Sequence, residues 1–179
     1  ADVQELTKFH DKDYVEALKN AERDQYLSET LKIKYNIGIG NNPIFKEVFS
    51  RPASAAKASI QAVEMIASQK ANKILNISGG THHGRKSQAY GFCFLNDCVL
   101  AILKAIELGF SKILYVDIDA HHCDGVQDVF AHNDKVRVVS IHEQNRWPKT
   151  GTIQDCKINN ILNFPVPADF NDSELDFLI

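Results

Sequence analysis

Cysteine is scarce in this chain of 179 residues, and its four copies, at positions 93, 98, 123 and 156, form no Cys-x-x-Cys pair and no zinc-finger spacing. That is not the framework of a disulfide-stapled secreted domain or of a zinc ribbon. It is the pattern of reduced thiols in an intracellular compartment, so the expected location is the cytoplasm, or the nucleus in a eukaryotic cell. Long apolar runs are missing too. None approaches the ~18 residues that a membrane span needs, and no secretory signal is visible, so no membrane partner is expected. Nor does charge of one sign dominate: 20 Lys and Arg against 23 Asp and Glu leave a formal net charge of -3. This balance lacks the electrostatic footprint of direct nucleic-acid binding, and Lys32-Ile33-Lys34 reads as a solvated patch. Repeats and low-complexity linkers are absent as well.

What is present is the composition of a globular body, 44% apolar and 24% charged, in a chain long enough to bury a core. Residues 7–20 read as a helix. In 53–69 a helical stripe joins Ala56, Ile60, Val63 and Ala67, and in 96–108 another joins Val99, Ile102, Leu103 and Ile106, with Gly109 as the stop. Short β-branched runs at 73–78, 112–118 and 136–141, and a weaker one at 161–166, read as strands. Alternation of such strands with helices predicts a single α/β unit, a parallel sheet with helices on both faces. The segment 79–95 exceeds an ordinary strand-to-helix connection and reads as a functional loop.

Chemistry concentrates at two points. Asp117-Ile118-Asp119-Ala120-His121-His122-Cys123-Asp124-Gly125 packs three carboxylates and two imidazoles into nine residues after the apolar run Ile113 to Val116. Alternation along an extended chain would put Asp117, Asp119 and His121 on one side, beyond the carboxyl end of a strand, where open α/β sheets bind ligands. A carboxylate and a neutral imidazole suit Zn²⁺, which makes Asp119 and His121 candidate ligands, although such a set takes several first-row metals. The second point is Gly79-Gly80-Thr81-His82-His83-Gly84, adjacent imidazoles in a loop whose glycines permit close approach to a substrate. His10, His132 and His142 read as structural.

These two segments, together with Gly91-Phe92-Cys93-Phe94-Leu95-Asn96-Asp97, resemble the zinc-dependent histone deacetylase family, which also contains acetoin-utilisation proteins and acetylpolyamine amidohydrolases. The likeness runs from Phe9-His10 to Phe164-Pro165-Val166-Pro167. It implies an arginase/deacetylase-like fold and Zn²⁺ on Asp119 and His121. It implies that His82 and His83 are the tandem active-site histidines, with Asp117 and Asp124 as their carboxylate partners, and that Gly91 and Phe92 line a channel for an acyl-lysine side chain. Trp147 is expected to form another channel wall. Asp117, Asp119, His121, Ser140 and Ile141 match the family's structural monovalent-cation site, for which K⁺ is the expected ion. The implied reaction is zinc-assisted hydrolysis of an acyl amide on a lysine or an amine, releasing acetate, so the expected partner is an acetylated protein or an acetylated small amine. The oligomeric state is left open.

Departures from the family pattern bear on activity. The third zinc ligand, an aspartate, and a carbonyl-polarising tyrosine lie downstream in the family, beyond Ile179. The chain is therefore read as a partial, truncated catalytic domain, 1–179, without the C-terminal part and the N-terminal start, and nearly inactive by itself. Asn41 lies near the position of an aspartate that holds the substrate backbone, which would tilt preference away from histones. Cys123 stands where glycine is common. The alternative reading is a non-catalytic module of the same fold that binds metal or an acylated ligand.

Overall fold

The structure is a computed structural model that describes residues 1–157 and 160–178. The chain divides into two compact units, Ala1–Phe110 and Ser111–Ile179.

The first unit is helical: α1 (Val3–Leu6), α2 (Lys12–Asp24), α3 (Glu29–Tyr35), α4 (Ser50–Ala67) and α5 (Asp97–Glu107). The expected helix over 7–20 begins only at Lys12 and runs on to Asp24. Backbone N–H of Asp11 donates to the carbonyl of Lys86 at 3.1 Å, and the His10 ring reaches the carbonyls of Arg85 and Lys86 at 3.1 and 3.3 Å. These long-range bonds hold residues 7–11 out of helical geometry, and α2 starts afresh at Lys12, with Asp11 in extended conformation as its N-cap. Its buried face, Tyr14, Val15, Leu18 and Ala21, has the i, i+1, i+4, i+7 spacing of a helix facing a core. Tyr14 is fully buried and its hydroxyl donates to the Phe94 carbonyl at 2.5 Å. In α4 the predicted stripe is buried at Ala56 and Ile60, half-buried at Val63 and exposed at Ala67. In α5 the buried face is Val99, Leu100, Ile102 and Ala105. These two helices pack against each other.

Residues 73–78 form no strand. An extended segment becomes a strand only with a ladder partner, and the described residues of this first unit contain no strand to pair with. Leu75 and Ile77 are 83% and 88% exposed. Periodicity and β-branching were satisfied there, but pairing was not.

The second unit contains the sheet: β1 (Ile113–Asp117), α6 (Asp124–Phe130), β2 (Val136–Glu143), a 3-10 turn (Ile153–Lys157), β3 (Ile161–Val166) and α7 (Asp172–Leu178). The strands are parallel in the order β1-β2-β3. The three predicted strands in this unit are present, and the parallel α/β architecture is as expected. Burial alternates along β2, with Val136, Val138, Ser140 and His142 inward. Register aligns Asp117 with Ser140 and Ser140 with Asn163. All three are buried, so a polar row crosses the sheet towards the carboxyl ends of its strands. No helix among the described residues is long and apolar enough to cross a membrane.

Candidate functional site

In the first unit, His82 and His83 are 5% and 4% exposed. Their Nε2 atoms lie 3.0 Å apart and their ring centroids 4.0 Å apart. At that separation one hydrogen serves the two nitrogens, so one ring donates while the other accepts. The loop that carries them is short of conformational freedom. Gly80 has φ of +92°, and a side chain at Gly84 would crowd the backbone of Leu95 and Asn96 at 3.0–3.1 Å.

Asn96 caps α5, accepting from the Val99 N–H at 3.0 Å. Its Nδ2 donates to the carbonyls of His82 and Gly84 at 3.1 and 3.0 Å. Its own N–H donates to Nε2 of His10 at 3.0 Å. His10, 1% exposed, is thus a structural link whose tautomer is set by its partners: Nδ1 carries the hydrogen that faces the carbonyls, and Nε2 accepts. Burial lowers its pKa from 6.5 to about 4, against the weaker raising effect of those carbonyls.

Gly91 and Phe92 both have positive φ, +55° and +64°. Tyr90 and Cys93 exchange backbone hydrogen bonds around them at 3.0 and 2.9 Å, as in a two-residue turn of type I′. Phenylalanine rarely takes this conformation, and the turn presents its ring 66% exposed. The N–H of Phe92 donates to Oδ1 of Asn42 at 3.0 Å. Asn42 is buried, whereas Asn41 is exposed; the residue that braces Phe92 is the one the sequence reading passed over. Phe92 also lines a cleft of about 820 Å³ with Phe45, Phe94, Pro43 and Arg51.

In the second unit, Asp117, Asp119 and His121 are brought together, but by turns and not by strand alternation, because β1 ends at Asp117. Oδ1 of Asp117 accepts from the Asp119 N–H at 3.0 Å. Oδ1 of Asp119 accepts from the His121 N–H at 2.7 Å and faces its Nδ1 at 2.9 Å. Each is an aspartate capturing the amide two residues on. Asp117 is buried and also accepts from the Tyr115 hydroxyl at 2.5 Å, while Asp119 and His121 stay partly exposed. Trp147 lies 6.0 Å from His121, edge to face. Asp124 is buried in the first turn of α6 and accepts from the Gly125 N–H at 2.8 Å. Ser140 bonds Nδ1 of His142 at 2.9 Å, and Ile141 sits beside it on β2.

His122 and His142 are buried and structural. His122 bonds Thr150 Oγ1 and Gln127 Oε1 at 2.8 and 2.9 Å, and His142 donates from Nε2 to the Gly151 carbonyl at 2.9 Å. Burial lowers the pKa of both rings, so both are neutral at pH 7. Cys123 is fully buried and burial pushes its thiol pKa up, which disfavours the thiolate. Cys93, Cys98 and Cys123 form no disulfide, and the Cys156 side chain lies outside the described residues.

A carboxylate oxygen and an imidazole nitrogen that face each other at 2.9 Å form a donor set that fits Zn²⁺, with the hydrogen on Nδ1 where a cation would be held. Among the described residues no group of three His, Cys, Asp or Glu is placed to hold a metal. The fit is that of two ligands.

The model of the histone deacetylase domain matches residues 1–179. Human histone deacetylase 1 is 32% identical over 98% of this chain and 37% of its own length. Histone deacetylase 8 of Xenopus laevis is 36% identical over 98% of this chain and 54% of its own. Among solved structures, a histone deacetylase homologue from Aquifex aeolicus superposes with a TM-score of 0.91 at 37% identity, covering 99% of this chain and 49% of that one. The chain thus spans between a third and a little over half the length of these relatives. With its parallel sheet, its paired histidines and its Asp-x-His turn, the chain belongs to the histone deacetylase family.

Proposed function

We propose that this chain carries the proton-transfer groups and two metal ligands of a deacylase that hydrolyses an acyl amide on a lysine or an amine and releases acetate. The observation that carries the reading is the buried His82–His83 pair with Nε2 atoms 3.0 Å apart. Amide hydrolysis needs a proton taken from water and a proton given to the departing amine. Adjacent imidazoles that share one hydrogen hold both capacities, one lone pair and one N–H. The exposed ring of Phe92 and the apolar cleft beside it suit the four-carbon stem of an acyl-lysine, which gains contact there without needing a charge partner.

Asp119 and His121 would hold the metal, and bound Zn²⁺ would polarise the acyl carbonyl and lower the pKa of a water. Asp117, Ser140 and the Ile141 carbonyl, with Asp119 and His121, would hold a structural monovalent cation such as K⁺. Ring orientation at His121 is set by the Asp119 carboxylate, which faces its Nδ1 at 2.9 Å.

A second reading, a metal- or acyl-ligand-binding module without turnover, is favoured by the two-ligand set, since catalytic zinc typically has three protein ligands. Acetate release from an acetyl-lysine peptide, measured with zinc and after chelation, separates the two. Slow release abolished by chelation supports the deacylase. Zinc-dependent peptide binding without release supports the module. Neither release nor binding contradicts both.

A further inference from the structure

Asp97 has no part in the chemistry above, yet it is the most heavily engaged carboxylate in the first unit. It is 3% exposed. Its Oδ1 accepts from the N–H of Gly80 at 3.0 Å and of Thr81 at 2.8 Å. The Thr81 hydroxyl lies 2.6 Å from Oδ1 and 2.6 Å from the Leu95 carbonyl. Oδ2 accepts from Ser59 Oγ at 2.6 Å, and the Cys98 thiol stands 3.8 Å from Oδ1. Its partners among the described residues are thus all neutral donors. As the first residue of α5 its charge is favourably placed near the positive end of the helix, but that role needs only a carboxylate in the first turn. Here the side chain is turned back onto the two residues that precede His82. A side chain on Gly79 would meet Oδ2 at 2.4 Å, so the loop approaches this carboxylate as closely as a glycine allows.

We propose that Asp97 is a positioning residue for His82 and His83: its buried carboxylate locks the Gly80–Thr81 turn, and so sets the direction in which both imidazoles leave the backbone. Asn96 completes the hold from the far side through the carbonyls of His82 and Gly84. The catalytic meaning of this hold rests on the reading of the histidine pair as proton-transfer groups.

The test uses the isotope-labelled chain, with imidazole NMR signals of His82 and His83 followed against pH and amide exchange of Gly80 and Thr81 measured alongside. Asp97→Ala is expected to speed exchange at those two amides by roughly tenfold or more, with the amides of Leu100 to Ala105 unchanged, and to move both imidazole titrations. Asp97→Asn keeps the shape and one acceptor, and restores most of the wild-type behaviour. Gly79→Ala pushes the carboxylate out and reproduces Asp97→Ala, while the Gly79→Ala/Asp97→Ala double variant is no worse than Asp97→Ala alone, because the clash has been removed. Where the wild type releases acetate, Asp97→Ala lowers kcat by about 10–100-fold with KM nearly unchanged. Imidazole titrations and loop amides that stay at wild-type values in Asp97→Ala and Gly79→Ala overturn the proposal, as does exchange that rises equally in the loop and in α5. A wild type that releases no acetate but shows the NMR changes retains the positioning role and removes the deacylase reading.

Discussion

A neutral imidazole sealed at His10 ties stability to pH. The folded ring titrates at about 4 and the unfolded ring near 6.5. Between those values the unfolded chain binds a proton that the folded chain refuses, so stability is present in full above pH 6.5 and is lost as pH falls towards 4. The separation corresponds to about 3 kcal/mol. Urea unfolding is expected to show about 2 kcal/mol of that loss between pH 7 and pH 5, and His10→Gln is expected to flatten the slope while itself costing about 1–3 kcal/mol for the unmet N–H of Asn96. Gly151 is a second residue-scale constraint. With φ of +78°, a side chain there would meet the His122 ring at 2.4 Å and the His142 ring at 2.7 Å. Gly151→Ala is expected to destabilise by about 2–4 kcal/mol, read from the denaturation midpoint. Phe92 points the other way. Glycine would relieve its positive φ, so Phe92→Gly is expected to leave stability unchanged or raised by up to about 1 kcal/mol while weakening binding of an acyl-lysine peptide.

Among elements, those whose signals were local and complete were legible. An apolar stripe that includes Val99 and Ile102, closed by Gly109, outlined α5 over 96–108, and the observed helix, Asp97–Glu107, differs only at its ends. Asn96→Ala is expected to cost about 1–2 kcal/mol in thermal or urea unfolding, more than an ordinary cap, because two loop carbonyls lose a donor as well. Where pairing or long-range bonds decide, the sequence was mute. Residues 73–78 have the composition of a strand but no ladder partner in their unit. Residues 7–11 have helical periodicity but are held by carbonyls some 75 positions away. At the site, the histidines and aspartates were legible by residue type. The sequence did not disclose that Asx turns gather Asp117, Asp119 and His121, nor that Asn42 and Asp97 brace the loops, since a polar residue's partner depends on the fold. Leu75→Lys, at a position 83% exposed, is expected to change stability by no more than about 0.5 kcal/mol.

For the molecule as a whole, family membership and the parallel α/β architecture follow from full-length similarity of this chain to histone deacetylases, of which it spans part. The proposed chemistry divides between two sets of residues, a histidine pair that would move protons and an Asp-x-His turn that would hold a metal. The central claim is that the two imidazoles act as a unit, and acetate release from an acetyl-lysine peptide in zinc, by the wild type, His82→Ala, His83→Ala and the double variant, tests it most directly. The account predicts a loss of about 10²- to 10⁴-fold in kcat for each single variant, with the double variant little worse than either. Single variants that retain turnover within about threefold of the wild type, or losses that multiply in the double variant, would contradict it.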